Sequence, residues 1–193
     1  MKNSLFLAAF TALVLISCST PEARRPVSVK TGSFMKQSIE RNKKLLEAEE
    51  ERILGLIEED SLHDYTRSAN GYWYYLETTD STKTYQPAEG DIVRITYELS
   101  DLNNNIIYSE EEIGPVEFKV DKEALFPGIR TAVKLLHEGE SATFLFPSAL
   151  SYGYHGDDDK IGTNIPLKAS VTLLEVIERQ SDSLPDNQEP QIK

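Results

Sequence analysis

The sequence is poorest in the residues that staple or metallate a fold. It holds one cysteine, so no disulfide can close within the chain, and three scattered histidines with no cysteine partners at zinc-like spacing. No metal site is expected. Positive charge is also short: 20 Lys and Arg stand against 32 Asp and Glu, a formal net charge of -12. A surface of that sign repels a phosphate backbone, so nucleic acid is excluded as a partner. No internal repeat is visible, and the one long apolar run, residues 5–16, is too short to cross a bilayer as a mature helix.

That run reads as an address. Lys2 supplies a short positive start, residues 5–16 the apolar stretch of a secretory signal. It ends in Leu15-Ile16-Ser17-Cys18, which resembles the bacterial lipobox. The resemblance implies that residues 1–17 are a lipoprotein signal peptide and that Cys18 is the lipidated first residue of the mature chain. Acyl chains on Cys18 would anchor a soluble domain to a membrane, each buried methylene contributing about 0.8 kcal/mol. Residues 18–32 carry Pro21 and Pro26 without apolar period and read as a tether.

Residues 33–60 carry Ile39, Leu46, Ile53 and Ile57 on one side of an amphipathic helix, with Ser33 as its N-cap. The stripe could pair with a second copy, giving a homodimer through residues 33–60, or lie against the body; the pattern leaves both open. The body follows at residues 71–179, and residues 180–193, with two prolines and few apolar residues, read as a disordered tail.

Within the body, strands are expected at 71–76, rich in aromatics, and at 92–99, where Val93, Ile95, Tyr97 and Leu99 alternate with polar residues. The Asp101 and Asn103-Asn104-Asn105 chemistry makes a turn into a strand at 106–109, and 115–120 alternates again. Then comes a helix of two to three turns, with Pro127 in its first turn, Ile129, Val133 and Leu136 on its apolar stripe, and Gly139 just past its end. Strands at 142–146, half-buried by its alternation, and at 171–177 complete an α+β body of about 110 residues, enough to bury its own core. His137 reads as a helix C-terminal residue, His155 as a residue without a partner that would make it a base, and Asp157-Asp158-Asp159 as a solvated acidic loop.

Four stretches in this order and spacing, GDIVRITYEL, PVEFKV, LFPGIRTAVKLLHEGESATFLFPSALSYG and IPLKASVTLLEVIE, resemble the FKBP-type peptidyl-prolyl isomerases. The long helix followed by GYWYYL is similar to the periplasmic branch of that family, and EARRPVS after the cysteine to gliding-motility-associated isomerase lipoproteins. The resemblance implies an antiparallel sheet curled around the short helix. It also implies a lipid-anchored location in a bacterial cell envelope, at the outer membrane facing the periplasm, and proline-containing polypeptide clients.

By position, the family's catalytic and substrate contacts fall on Tyr97, Leu125, Phe126 and Tyr152, with Tyr152 as the hydroxyl donor and the backbone near Phe126 as a ligand contact. Val116 and Leu173 stand where the family usually has phenylalanines, Ile129 where it has tryptophan, Ile165 at an aliphatic wall, and Ile107-Tyr108 in place of Phe-Asp. The implied cleft is apolar but less aromatic, with reduced X-Pro isomerase activity and no cofactor. A peptide-binding module without turnover is the alternative.

Overall fold

A computed structural model of the chain describes residues 31–122 and 125–180. The signal run, Cys18, the tether as far as residue 30 and the tail beyond residue 180 lie outside them. The described residues divide into two units, 31–39 and those from residue 40 onward. Helix α1 (Thr31–Glu59) runs from the first into the second. It is already formed at Thr31, so Ser33 is not its cap; terminal turns are the least sharply encoded part of a helix. In the first unit Phe34, Met35 and Ile39 are exposed.

Among the described residues the second unit is built on seven strands: β1 (Thr66–Arg67), β2 (Trp73–Thr78), β3 (Ile92–Asp101), β4 (Ile106–Tyr108), β5 (Val116–Lys119), β6 (Ser141–Phe146) and β7 (Leu167–Glu178). They pair antiparallel in the order β1-β2-β6-β7-β3-β4, and β5 also pairs with β3. The expected α+β architecture, a sheet wrapped on a short helix and preceded by a long one, is what forms. The turn between β3 and β4 is held by Asp101, whose carboxylate accepts from the Asn103 and Asn105 N–H groups at 2.8 and 2.9 Å, while Asn104 takes φ +63°.

The short central helix α3 (Pro127–Ala132) follows a single-turn helix α2 (Glu110–Ile113), and a 3-10 turn, Val133–Leu135, extends it. The tightening separates its end from Gly139, which is therefore not the helix cap. Gly139 takes φ +83° in the turn before β6 and donates its N–H to the Leu173 carbonyl at 2.7 Å. His137 is likewise not free at a helix end: its ring Nδ1 lies 2.9 Å from Glu140 Oε2.

One core cluster holds Val93, Ile95, Tyr97 and Leu99 of β3, Ile129, Ala132 and Val133 of the helix, and Ala142, Phe144 and Phe146 of β6. Strand β6 is not half-buried as its alternation suggests, because its other face is covered too. Leu145 joins Ile53 of α1, Trp73 and Leu102 in a second apolar cluster, with Leu56, Ile57 and Tyr65 packed around it. Ile53 is fully buried, so this part of the helical stripe is spent on the chain's own sheet. Thr143, on the same covered face, donates to Glu77 at 2.5 Å and lies 3.0 Å from Ser170 Oγ.

Candidate functional site

Pairing sets the wall of the site. Ile95 stands opposite Val116 on one side and Leu173 on the other, and Tyr97 opposite Val171, so these side chains share one sheet face. Leu99 stands opposite Tyr108 at the near end of the same face. Helix α3 closes over the row and is pressed tightly onto β6: a Cβ added at Gly128 would lie 2.6 Å from the Phe146 ring and 2.8 Å from the Leu150 carbonyl. That approach brings Phe126, just before the helix, edge-on to Phe146 at 5.6 Å and against the Tyr152 ring at 5.2 Å. Behind them Phe146, Phe144 and Tyr74 continue as stacked rings.

All ten residues assigned to the cleft from the sequence fall in this cluster. Tyr97 and Phe126 are 7% and 6% exposed, while Ile129 and Leu173 have no exposed surface. Ile107, Tyr108, Val116, Leu125, Tyr152 and Ile165 are partly buried around them. Ile129 and Leu173 are thus fully covered, while the other eight keep some exposed surface. Ile107 and Ile165 also face a separate concavity of about 290 Å³, shared with Arg52, Leu102, Lys160 and Pro166.

The two tyrosine hydroxyls keep their protons. Burial pushes the Tyr152 phenol up to about 12, with Tyr97 and Asp157 nearby adding to the shift, and burial raises Tyr97 as well. Among the described residues neither hydroxyl donates to a protein group, so each is a neutral donor whose proton is uncommitted there.

Tyr108 behaves differently. Its hydroxyl donates to Asp157 Oδ2 at 2.5 Å, and Lys160 lies over its ring with Nζ 4.5 Å from the centroid. The bond to Asp157, together with burial, pushes the phenol up to about 12. Asp157 Oδ1 accepts from the Asp159 and Ile161 N–H groups at 3.0 and 2.7 Å. Burial works to raise the Asp157 carboxyl, but these hydrogen bonds outweigh it and hold the carboxyl below the ordinary range. The acidic loop is therefore not merely solvated: Asp157 organises it. Gly156 makes the fold of that loop possible, since at φ +75° a Cβ would lie 2.2 Å from the Ile161 carbonyl.

The organising role of Asp157 has no sequence signal, because two further acids follow it and its phenol partner lies 49 residues away. The aromatic support from Phe146 reads only as strand alternation. A second feature with no sequence signal is a groove of about 580 Å³ between α1 and the 148–154 turn, bordered by Leu45, Leu46, Ala149 and Tyr154, with Arg41 and Asn164 at its edges.

Residues 83–174 match the family model described as FKBP-type peptidyl-prolyl cis-trans isomerase. Over 142 residues the chain is 32% identical to the probable FKBP-type peptidyl-prolyl cis-trans isomerase FkpA of Neisseria meningitidis serogroup B. That match takes in 72% of this chain and 51% of the relative, so the chain spans about half the relative's length. Among solved structures, a peptidyl-prolyl cis-trans isomerase from Pseudomonas syringae pv. tomato aligns with a TM-score of 0.55 at 21% identity, over 69% of this chain and 94% of that one. FkpA from Escherichia coli aligns with a TM-score of 0.56 at 19% identity, over 91% and 82%. At those identities the two structures speak for the fold.

Proposed function

We propose that this chain, whose residues 83–174 match the family model, is an FKBP-type peptidyl-prolyl cis-trans isomerase and catalyses X-Pro isomerisation in polypeptide clients. One observation carries the reading: Tyr97, Phe126 and Tyr152 converge on one apolar cluster, with two protonated hydroxyls that no described protein group engages.

The chemistry needs little more. Amide resonance sets a rotation barrier of about 18–20 kcal/mol, and the planar state is the more charge-separated one. An imide seated against Phe126 loses water, which favours the twisted state. The Tyr152 hydroxyl donates to a neighbouring carbonyl and holds the segment in register. Each 1.4 kcal/mol or so removed from the barrier speeds exchange about tenfold. Tyr108 cannot act as a free donor while it is committed to Asp157, so turnover below that of a more polar cleft is expected.

The Leu15-Ile16-Ser17-Cys18 stretch supports a lipid anchor at Cys18, and with it a folding helper tethered in a cell envelope, while the EARRPVS run after it supports a role in folding gliding machinery. A homodimer through residues 33–60 would use the exposed apolar residues Phe34, Met35, Ile39, Leu46 and Leu54, because Ile53 is already buried on the sheet. Exchange measurements on a short X-Pro peptide test the isomerase reading: added protein should speed exchange, and Phe126→Ala should abolish most of the effect. An inert wild type would defeat it.

The 580 Å³ groove favours a second reading, in which the protein holds unfolded segments without turnover. Equal binding of proline-containing and proline-free unfolded chains, with no acceleration of exchange, would support that reading.

A further inference from the structure

We propose that Glu49, on helix α1 outside the family-matched residues, is a positioning residue for the isomerase site, acting through Ser148 on the turn that carries Tyr152. The inference rests on the isomerase reading for its functional meaning and on geometry for its mechanism.

Glu49 is only 7% exposed and Ser148 only 3%. The Ser148 N–H donates to Glu49 Oε2 at 2.8 Å and the Ser148 hydroxyl to Oε1 at 2.7 Å, so both carboxylate oxygens are engaged by one residue 99 positions away. Among the described residues Glu49 has no cationic partner. A buried carboxylate without a cation is a costly way to dock a helix that Ile53 already docks by apolar contact. Two charge-assisted bonds are, however, a strong way to fix one residue.

What Ser148 fixes is the site. Its carbonyl accepts from the Ser151 N–H at 3.0 Å and the Gly153 N–H at 2.9 Å, the residues on either side of Tyr152. The Ser151 hydroxyl lies 3.0 Å from that same carbonyl and 3.0 Å from the Ile165 carbonyl. The Gly153 carbonyl accepts from the Asn164 N–H at 2.7 Å, just before Ile165. One carboxylate therefore anchors the serine around which Tyr152 and the Ile165 wall are both tied.

Variants in the full chain test this. With a short X-Pro peptide, Glu49→Ala should lower kcat/KM about fivefold, since displacing an orienting group by a fraction of an ångström loses rate steeply. Glu49→Gln should stay within about twofold of wild type, because a carboxamide still accepts the Ser148 N–H and can exchange roles with its hydroxyl. In a Tyr152→Phe background Glu49→Ala should add less than about twofold, the non-additivity of a residue acting through another. Equal losses in both backgrounds would overturn the proposal. Ser148→Ala, which keeps the N–H bond, should lose about two- to threefold and serves if Glu49→Ala does not fold.

Amide exchange gives a readout independent of turnover. Glu49→Ala or Ser148→Ala should speed exchange at Gly153 and Asn164 more than in the β3–β7 pair. Unchanged exchange there overturns the positioning role even if the enzyme is active, whereas a wild type inert toward peptide defeats the isomerase reading alone.

Discussion

Tyr108 and Asp157 form a 2.5 Å hydrogen bond between β4 and the loop after Tyr152. A phenol on the strand and a carboxylate on the loop thereby tie the two segments together. The carboxylate simultaneously holds the loop's own N–H groups.

If that bond orders the loop, Asp157→Ala should speed amide exchange at Asp159 and Ile161 by about tenfold or more, since both N–H groups lose their acceptor. Tyr108→Phe should affect the same amides less, because it leaves the carboxylate in place. Exchange measured by NMR on both variants checks the order of effect; an Asp157→Ala spectrum with unchanged protection would contradict it.

Gly128 is where α3 meets Phe146 and the Leu150 carbonyl, contacts that a methyl group would violate. Gly128→Ala should therefore destabilise the fold by about 1–3 kcal/mol through overpacking, despite alanine's better helix propensity. Urea unfolding gives the figure. A stabilised variant would mean the helix can move away from β6 at no cost.

Ile53 tests whether α1 belongs to the folded body. It is fully buried among Trp73, Leu102 and Leu145. Ile53→Ala should cost about 2–5 kcal/mol in the same transition that unfolds the sheet, while exposed Leu54→Ala should cost little. A separate, earlier transition for α1 would show that it folds independently.

Much of this arrangement was legible because its periods are local. The alternation through Val93, Ile95, Tyr97 and Leu99 reports a strand with one core face, and the Asn-rich turn reports the reversal after it. What escaped depends on distant partners. The outer face of β6 is covered by a helix whose Ile53 lies far upstream, so Leu145 looks like a solvent-facing position until α1 is in place. Strand β1 has two exposed residues and no apolar period, and exists only through pairing with Trp73 and Tyr74. The cleft residues are assigned by family position alone; nothing in a run of acids distinguishes Asp157 from its neighbours, and nothing on an acidic helix face distinguishes Glu49.

Acid should weaken the fold in a defined window. Burial works to raise the Asp91 carboxyl, but hydrogen bonds from the Ala88 N–H, the Tyr85 hydroxyl and the Gln180 N–H lower it overall. Glu140 is lowered in the same way, burial being outweighed by hydrogen bonds from the His137 and Asp80 N–H groups and the His137 ring. With folded values below unfolded ones, the unfolded chain binds more protons. The stabilisation is complete above about pH 4 to 5, and lost as pH falls through the lowered folded values. Urea midpoints should be flat from pH 7 to 5 with respect to these groups and fall below pH 4, less steeply in Asp91→Asn. An equal slope in that variant would remove Asp91 from the account.

The central claim is turnover at an X-Pro bond in a folding chain. It is tested most directly by refolding a protein whose slow phase is proline-limited, with and without the Ser19 to Lys193 fragment of this one. Substoichiometric fragment should accelerate the slow phase, and Tyr152→Phe should reduce the acceleration by about two- to tenfold, the worth of one hydrogen bond to the reacting segment. No acceleration at stoichiometric protein would contradict the claim.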